Sequence, residues 1–206
     1  GSRAHIRIGI MNVLNLHAQV PFWHALFEKL GFSIAVPDDR RAEASGAARE
    51  GAATVPSESV CHPAKLAHAR LYDLVRNARV NVVFMPRYVR GKRCPVVSGY
   101  AGAVADCAPV VREGETLLVS PVLRGMMPTA CADDDGDRAA LLGGINDVAD
   151  IAGFSPVTVD ELKAAVVSAL AAQEEFEETV GRGNERALAW AHGSGGRGAV
   201  LGGRPY

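Results

Sequence analysis

Aromatic side chains are scarce in this sequence, 6% of 206 residues, while glycine alone contributes 22. That balance argues against an aromatic-rich β-sandwich and suits helices packed closely on a sheet. Cysteine is sparse as well: Cys61, Cys94, Cys107 and Cys131 are scattered, with no C-x-x-C pair. A disulfide-stapled secreted scaffold would be shorter and denser in cysteine, so reduced thiols are expected. No apolar run approaches the ~20 residues that cross a bilayer, the longest being stretches such as 164–172. No basic-then-apolar leader opens the chain. Neither sign of charge dominates, since 22 basic residues face 23 acidic ones for a net charge of -1. Such a balance leaves no electrostatic footprint for nucleic acid or an anionic membrane. The chain reads as soluble and cytoplasmic, with neither of those as partner.

Common catalytic signatures are also missing. There is no G-x-x-x-x-G-K-S/T, no G-x-S-x-G and no H-E-x-x-H, which removes the usual phosphate cradle, nucleophile elbow and zinc helix. Gly9 closes the first strand without a G-x-G-x-x-G, and Gly181, Gly183, Gly193, Gly195 and Gly196 fall in what reads as helix and loop, so a dinucleotide site is unmotivated. The D-D-D-G-D of residues 133–137 lacks the spaced ligands and terminal Glu of a calcium loop and reads as a solvated turn at a helix start.

What is present is alternation of strand and helix. Residues 5–10 (H-I-R-I-G-I) form a β-branched run; Pro21 opens a helix carrying Phe22, Leu26, Phe27 and Leu30, closed by Gly31; and 32–36 (F-S-I-A-V) give the next strand. A polar, Ala-rich stretch over 38–53 suits a short amphipathic helix. Pro63 begins another, with Leu66, Ala67, Leu71, Leu74 and Val75 on one face, and the near-continuous apolar run 80–85 reads as a buried parallel strand. Residues 95–98 are a brief strand candidate, 101–111 a helix interrupted at Pro109, and 116–119 a further strand. Helical periodicity then dominates. One helix is expected over 137–151, and Thr158 with Glu161 forms a capping box opening a long helix that runs past Gly181 to Trp190. The expected fold is α/β: a three-layer Rossmann-like domain with a mostly parallel sheet over residues 3–125, followed by a helical segment, 126–195, packing on it. Residues 196–206 read as the start of a next strand and βα unit, cut short.

The densest chemistry lies in residues 54–68, where Cys61, His62, His68, Lys65, Ser57 and Ser59 surround one predicted helix start. Exposed amides at a helix N-terminus favour a thiolate, and a thiolate serves as nucleophile or as a ligand for iron–sulfur clusters and zinc. The bland reading of Cys61 is a small buried hydrophobe. Cys94 follows the apolar run 80–85, so it is placed near a strand end, where open α/β sheets hold ligands. Its bland reading is a core-facing residue starting a strand. His24, beside Phe22 and Leu26, reads as structural.

Five ordered blocks then carry a resemblance: I-G-I-M-N-V-L-N (8–15), P-F-W-H-A-L-F-E-K-L-G-F (21–32), V-P-S-E-S-V-C-H-P-A-K-L-A-H (55–68), F-M-P (84–86) and C-P-V-V-S-G-Y (94–100), with V-L-G-G-R-P-Y at 200–206. Together they resemble a conserved domain in large proteins related to the activator of 2-hydroxyacyl-CoA dehydratases, including 2-hydroxyglutaryl-CoA dehydratase. Met11 departs from the family, where Pro is common at that place, and Cys107 and Cys131 have no counterpart in it.

The resemblance implies an accessory domain set between ATP-binding activase domains and a dehydratase-like part of one long protein. That protein drives low-potential electrons into an iron–sulfur redox partner at the expense of ATP. It implies Cys61 and Cys94 as metal ligands of an iron–sulfur cluster completed by cysteines from outside this chain, because four sulfur ligands are usual. Ser57, Ser59 and Lys65 would support the cofactor through hydrogen bonds or charge; the two serines equally suit a capping role. No independent enzymatic activity is expected. Two alternatives stand beside it: a metal-free docking module between ATPase and dehydratase-like parts, recognisable by an exposed apolar patch, and an acyl-CoA or small-anion site near Cys61 and Lys65.

Overall fold

The computed structural model describes residues 3–37, 45–89, 94–125 and 130–194. Four strands form the main sheet: β1 (Arg7–Ile10), β2 (Ser33–Ala35), β3 (Val82–Phe84) and β5 (Leu117–Val119), in the spatial order β2-β1-β3-β5 and all parallel. Ile8 sits opposite Ile34 on one side and Val82 on the other, and Val83 opposite Leu118. Two short strands extend this sheet: β4 (Arg87–Tyr88) beyond β3 and β6 (Val122–Leu123) beyond β5, also parallel. Pro86 and Pro121 fall at the joints. The ladder survives them because donors alternate along a parallel strand: the amides of Met85, Arg87 and Val89 reach the carbonyls of Val119, Pro121 and Leu123 at 2.9–3.0 Å, so Pro86 sits where no donor toward β5 is needed.

The helices are α1 (Val20–Lys29), α2 (Gly46–Ala52), α3 (His62–Tyr72, running on as a wider turn over Asp73–Asn77), α4 (Pro95–Cys107), α5 (Pro109–Arg112), α6 (Ala130–Asp133), α7 (Asp135–Asn146), α8 (Ala149–Ala152) and α9 (Val159–Gly193). Pro21 occupies the first turn of α1, and Gly31 follows it at φ +86°, a left-handed position that spares a Cβ. The capping box of α9 is present on both sides, Glu161 N to Thr158 Oγ1 at 3.2 Å and Thr158 N to Glu161 Oε2 at 2.8 Å. The alternating strands and helices give the three-layer Rossmann-like α/β fold with a mostly parallel sheet that the sequence predicts.

Three local expectations are corrected. The single helix expected over 137–151 is divided after Asn146 into α7 and α8. Residues 95–98 are the first turn of α4, not a strand: Val96 and Val97 look β-prone, but Pro95 is pre-set for a helix start and the amides of Val97 and Ser98 bond back to the Cys94 carbonyl. The acidic stretch at 133–137 is not simply solvated. Asp134 caps α7, and Asp137 is buried, its two carboxylate oxygens accepting the amides of Arg124 and Gly125 at 2.7 and 2.8 Å. The strand expected near 197–202 lies outside the described residues.

The few aromatic rings are concentrated rather than spread. Trp23 and Phe27 of α1 both pack on Phe84 of β3 with centroids 4.8 Å apart, and Phe32 links Phe27 to Phe154. Gln19 places a polar junction in this core, its Oε1 accepting from Trp23 Nε1 at 3.2 Å and from the Tyr88 hydroxyl at 2.5 Å. Helix α9 packs on α1 and runs antiparallel to it. At one end Arg3 donates to the Leu30 carbonyl, to those of Ser155 and Pro156 and to both oxygens of Glu161; at the other, Gln173 accepts from Phe22 N and donates to the Ala18 carbonyl. The Arg3 guanidinium, helped by the Thr158 amide, holds the Glu161 carboxyl down to about 2.

One glycine is dictated by packing. A Cβ on Gly51 of α2 would lie 2.4 Å from the backbone carbonyl oxygen of His68 on α3, whereas one on Gly46 would meet nothing. Gly51→Ala must therefore push the two helices apart and is expected to cost about 1–3 kcal/mol and lower the urea midpoint, while Gly46→Ala is expected to leave the midpoint nearly unchanged. Equal midpoints for Gly51→Ala and the wild type would contradict this reading of the α2–α3 contact.

Candidate functional site

The polar cluster of residues 54–68 folds around the close approach of α2 to α3. Thr54 ends the α2 turn, its hydroxyl donating to the Gly51 carbonyl at 2.8 Å. That single proton being committed, the 2.7 Å contact between Thr54 Oγ1 and His68 Nδ1 has the ring nitrogen as donor. The imidazole is thus neutral with its proton on Nδ1, and Nε2 accepts from the hydroxyl of Tyr100 on α4 at 3.1 Å. His68 is fully buried, and burial lowers its pKa. Burial also raises the Tyr100 pKa, with Cys107 and then Cys61 adding to the rise when ionised. The chain Thr54–His68–Tyr100 ties three helices together and lies beside two thiols.

Cys61 is the N-cap residue of α3 and Cys94 that of α4, so the carbonyl of each receives the first amides of a helix. Both are free; Cys61 is exposed and Cys94 half-buried. Neither bland reading applies in full, since Cys61 is not in the core and Cys94 starts a helix. The thiol that the structure does seal away is Cys131, 1% exposed, whose pKa burial pushes up to about 12, so it is inert at neutral pH. Ser57 and Ser59 bond to each other at 2.8 Å and cap no helix, while Lys65 is engaged by Glu58 at 2.9 Å on the surface. An exposed pair of that kind leaves the ammonium free to exchange partners at little cost.

An iron–sulfur cluster needs about four sulfur ligands. Among the described residues no group of three His, Cys, Asp or Glu side chains is placed to hold a metal ion. The described residues by themselves do not fit a cluster. No described helix is long and apolar enough to cross a membrane.

With this geometry in view, a comparison of the sequence with protein families decides the relationship. Residues 7–206 match the family described as a CoA enzyme activase uncharacterised domain (DUF2229). The chain belongs to this family. Its match spans all of the described secondary structure, so the sheet and α9 alike are family features of this activase-related domain. No curated protein and no solved structure matches the chain.

The sequence missed Thr54 and Tyr100 as partners of His68, although all three lie in or beside the motif blocks. A buried histidine whose folded-state pKa lies below its unfolded value of about 6.5 binds fewer protons than the unfolded chain in that window. Stability is accordingly full above about pH 6.5 and is lost as pH falls toward the lowered folded value. Urea titrations across this range are expected to show that rise with pH, and His68→Gln to flatten it while lowering stability by about 1–3 kcal/mol. Parallel slopes in the two proteins would remove His68 as the source.

Proposed function

We propose that this domain of a CoA enzyme activase-type protein is a docking module, held to the activase part through the outer half of α9. The observation that carries the reading is the continuation of one apolar seam. Along α9, Leu162, Val166, Ala169 and Gln173 recur in alternating steps of four and three and are buried against α1. The same steps then reach Phe176, Val180, Gly183, Ala187 and Trp190, where Phe176, Val180 and Trp190 are 43, 45 and 73% exposed. Beyond Gln173 the helix extends roughly 30 Å with no residue fully buried. A seam of this period is what a partner helix packs into. Small residues at 183 and 187 permit a close approach, and the aromatic ends supply anchors.

The occupant is an amphipathic helix of the activase part, laid along α9 in continuation of the α1 interface. Binding of the 206-residue chain to the separately purified activase part tests it. Val180→Asp and Trp190→Asp are each expected to weaken that binding by about tenfold or more with helicity retained, and Ile151→Asp, exposed but off the seam, to leave it unchanged. Failure of the wild type to bind, full binding by the seam variants, or pairing of the chain with itself through α9 would each overturn the proposal.

A second reading rests on the exposure of Cys61 and the placement of both candidate thiols at helix starts. In it Cys61 and Cys94 add two thiolates to an iron–sulfur cluster shared with cysteines of the neighbouring parts, Ser57, Ser59 and Lys65 lie near it, and the domain serves ATP-driven low-potential electron transfer. Iron and sulfide contents of the anaerobically prepared long protein should then drop in Cys61→Ser and in Cys94→Ser; unchanged contents in both remove the ligand role.

A further inference from the structure

An open groove of about 410 Å³ runs between α4 and the edge strand β5, within the usual span of small-molecule sites, about 300–1,000 Å³. Ala101, Gly102 and Ala105 make one wall, a smooth face in the body of α4, and Leu118 belongs to the other. Arg87, the first residue of β4, and Ser120, just after β5, line it at the joints where these strands continue into β4 and β6; there the Arg87 amide bonds the Pro121 carbonyl at 2.9 Å.

Two polar atoms there are shielded from solvent and have no hydrogen-bond partner: Nε of Arg87 and Oγ of Ser120. Arg3, Arg76, Arg138 and Arg182 each meet a carboxylate; among the described residues none pairs with Arg87, and no acidic side chain lines the groove. A guanidinium N–H and a hydroxyl that line one groove, both shielded and without a partner, are costly unless a ligand supplies acceptors.

We propose that this groove binds a small organic carboxylate on a short aliphatic body. The carboxylate meets Arg87 and Ser120, and the aliphatic part lies along the alanine and leucine walls. One guanidinium with one hydroxyl matches a monoanion, and a forked donor suits its two oxygens. The α4 residues that face the groove are mid-helix, so no helix N-terminus adds the amides that a phosphate dianion would call for. The site uses none of the α9 seam or the thiols, and it stands or falls independently of the docking reading.

Calorimetric titration of the 206-residue chain with hexanoate, hexanamide and inorganic phosphate tests it. Hexanoate is expected to bind, Arg87→Gln to weaken it by about tenfold or more, and hexanamide to bind as weakly as hexanoate does to that variant. Ala105→Leu keeps Arg87 and fills the groove from the helix side, so it too is expected to abolish binding. Absence of hexanoate binding at millimolar concentration, equal binding of the amide, retention of binding in both variants, or tighter binding of phosphate would each overturn the proposal.

Discussion

The antiparallel contact of α9 with α1 is the constraint from which the rest of this molecule follows. Helix α1 is a crossover between parallel neighbours β1 and β2, and its length is limited by the depth of a sheet whose strands are three or four residues long. Pro21 and Gly31 fix its two ends, leaving 10 residues. Helix α9 has 35. A helix of that length cannot be covered by its partner, and the surplus lies on one side because Arg3 and Glu161 pin the beginning of α9 to the end of α1. The exposed seam is therefore a consequence of register as well as of composition.

The polar chemistry gathers elsewhere, around the contact of α2, α3 and α4. Gly51 lets α2 approach the His68 carbonyl, and this in turn sets Thr54 against the imidazole and the imidazole against Tyr100. The buried, neutral histidine explains how a polar side chain is accommodated between three helices without a charge. The thiols differ by placement: Cys61 stands near it at an exposed helix start, whereas Cys131 lies in the core by Tyr88 and Asp137 with its thiol held protonated. Arg87 and Ser120 form a third locality, created by the two proline joints where β3 and β5 pass into β4 and β6.

Local signals were legible in the sequence, and long-range ones were not. Pro21, Gly31 and the Thr158–Glu161 box act within a turn of the chain, so the ends they mark agree with the structure closely. The buried run at 80–85 and the long helix through Phe176 to Trp190 were likewise plain from periodicity. Residues 95–98 misled because two adjacent valines carry a strand preference that a proline at the first helical turn overrides. The placement of Cys61 at a helix start was readable; its exposure was not, since that depends on how α3 lies against α2 and α4. The His68–Tyr100 bond, the burial of Asp137 under Arg124 and Gly125, and the shared groove of Arg87 and Ser120 all bring together residues from separate elements. No spacing along the chain announces such pairs. Membership of the CoA enzyme activase domain family, by contrast, was carried by the motif blocks themselves.

The seam is functional only if the outer half of α9 becomes covered when the activase part is present. Amide hydrogen exchange of the 206-residue chain, alone and with that part added, measures this along the helix. Fast exchange is expected over residues 176–193 in the free chain, with strong slowing there on addition and no change in the half already packed on α1. Exchange over 176–193 that stays fast in the mixture, or is already slow in the free chain, would contradict the docking role of α9.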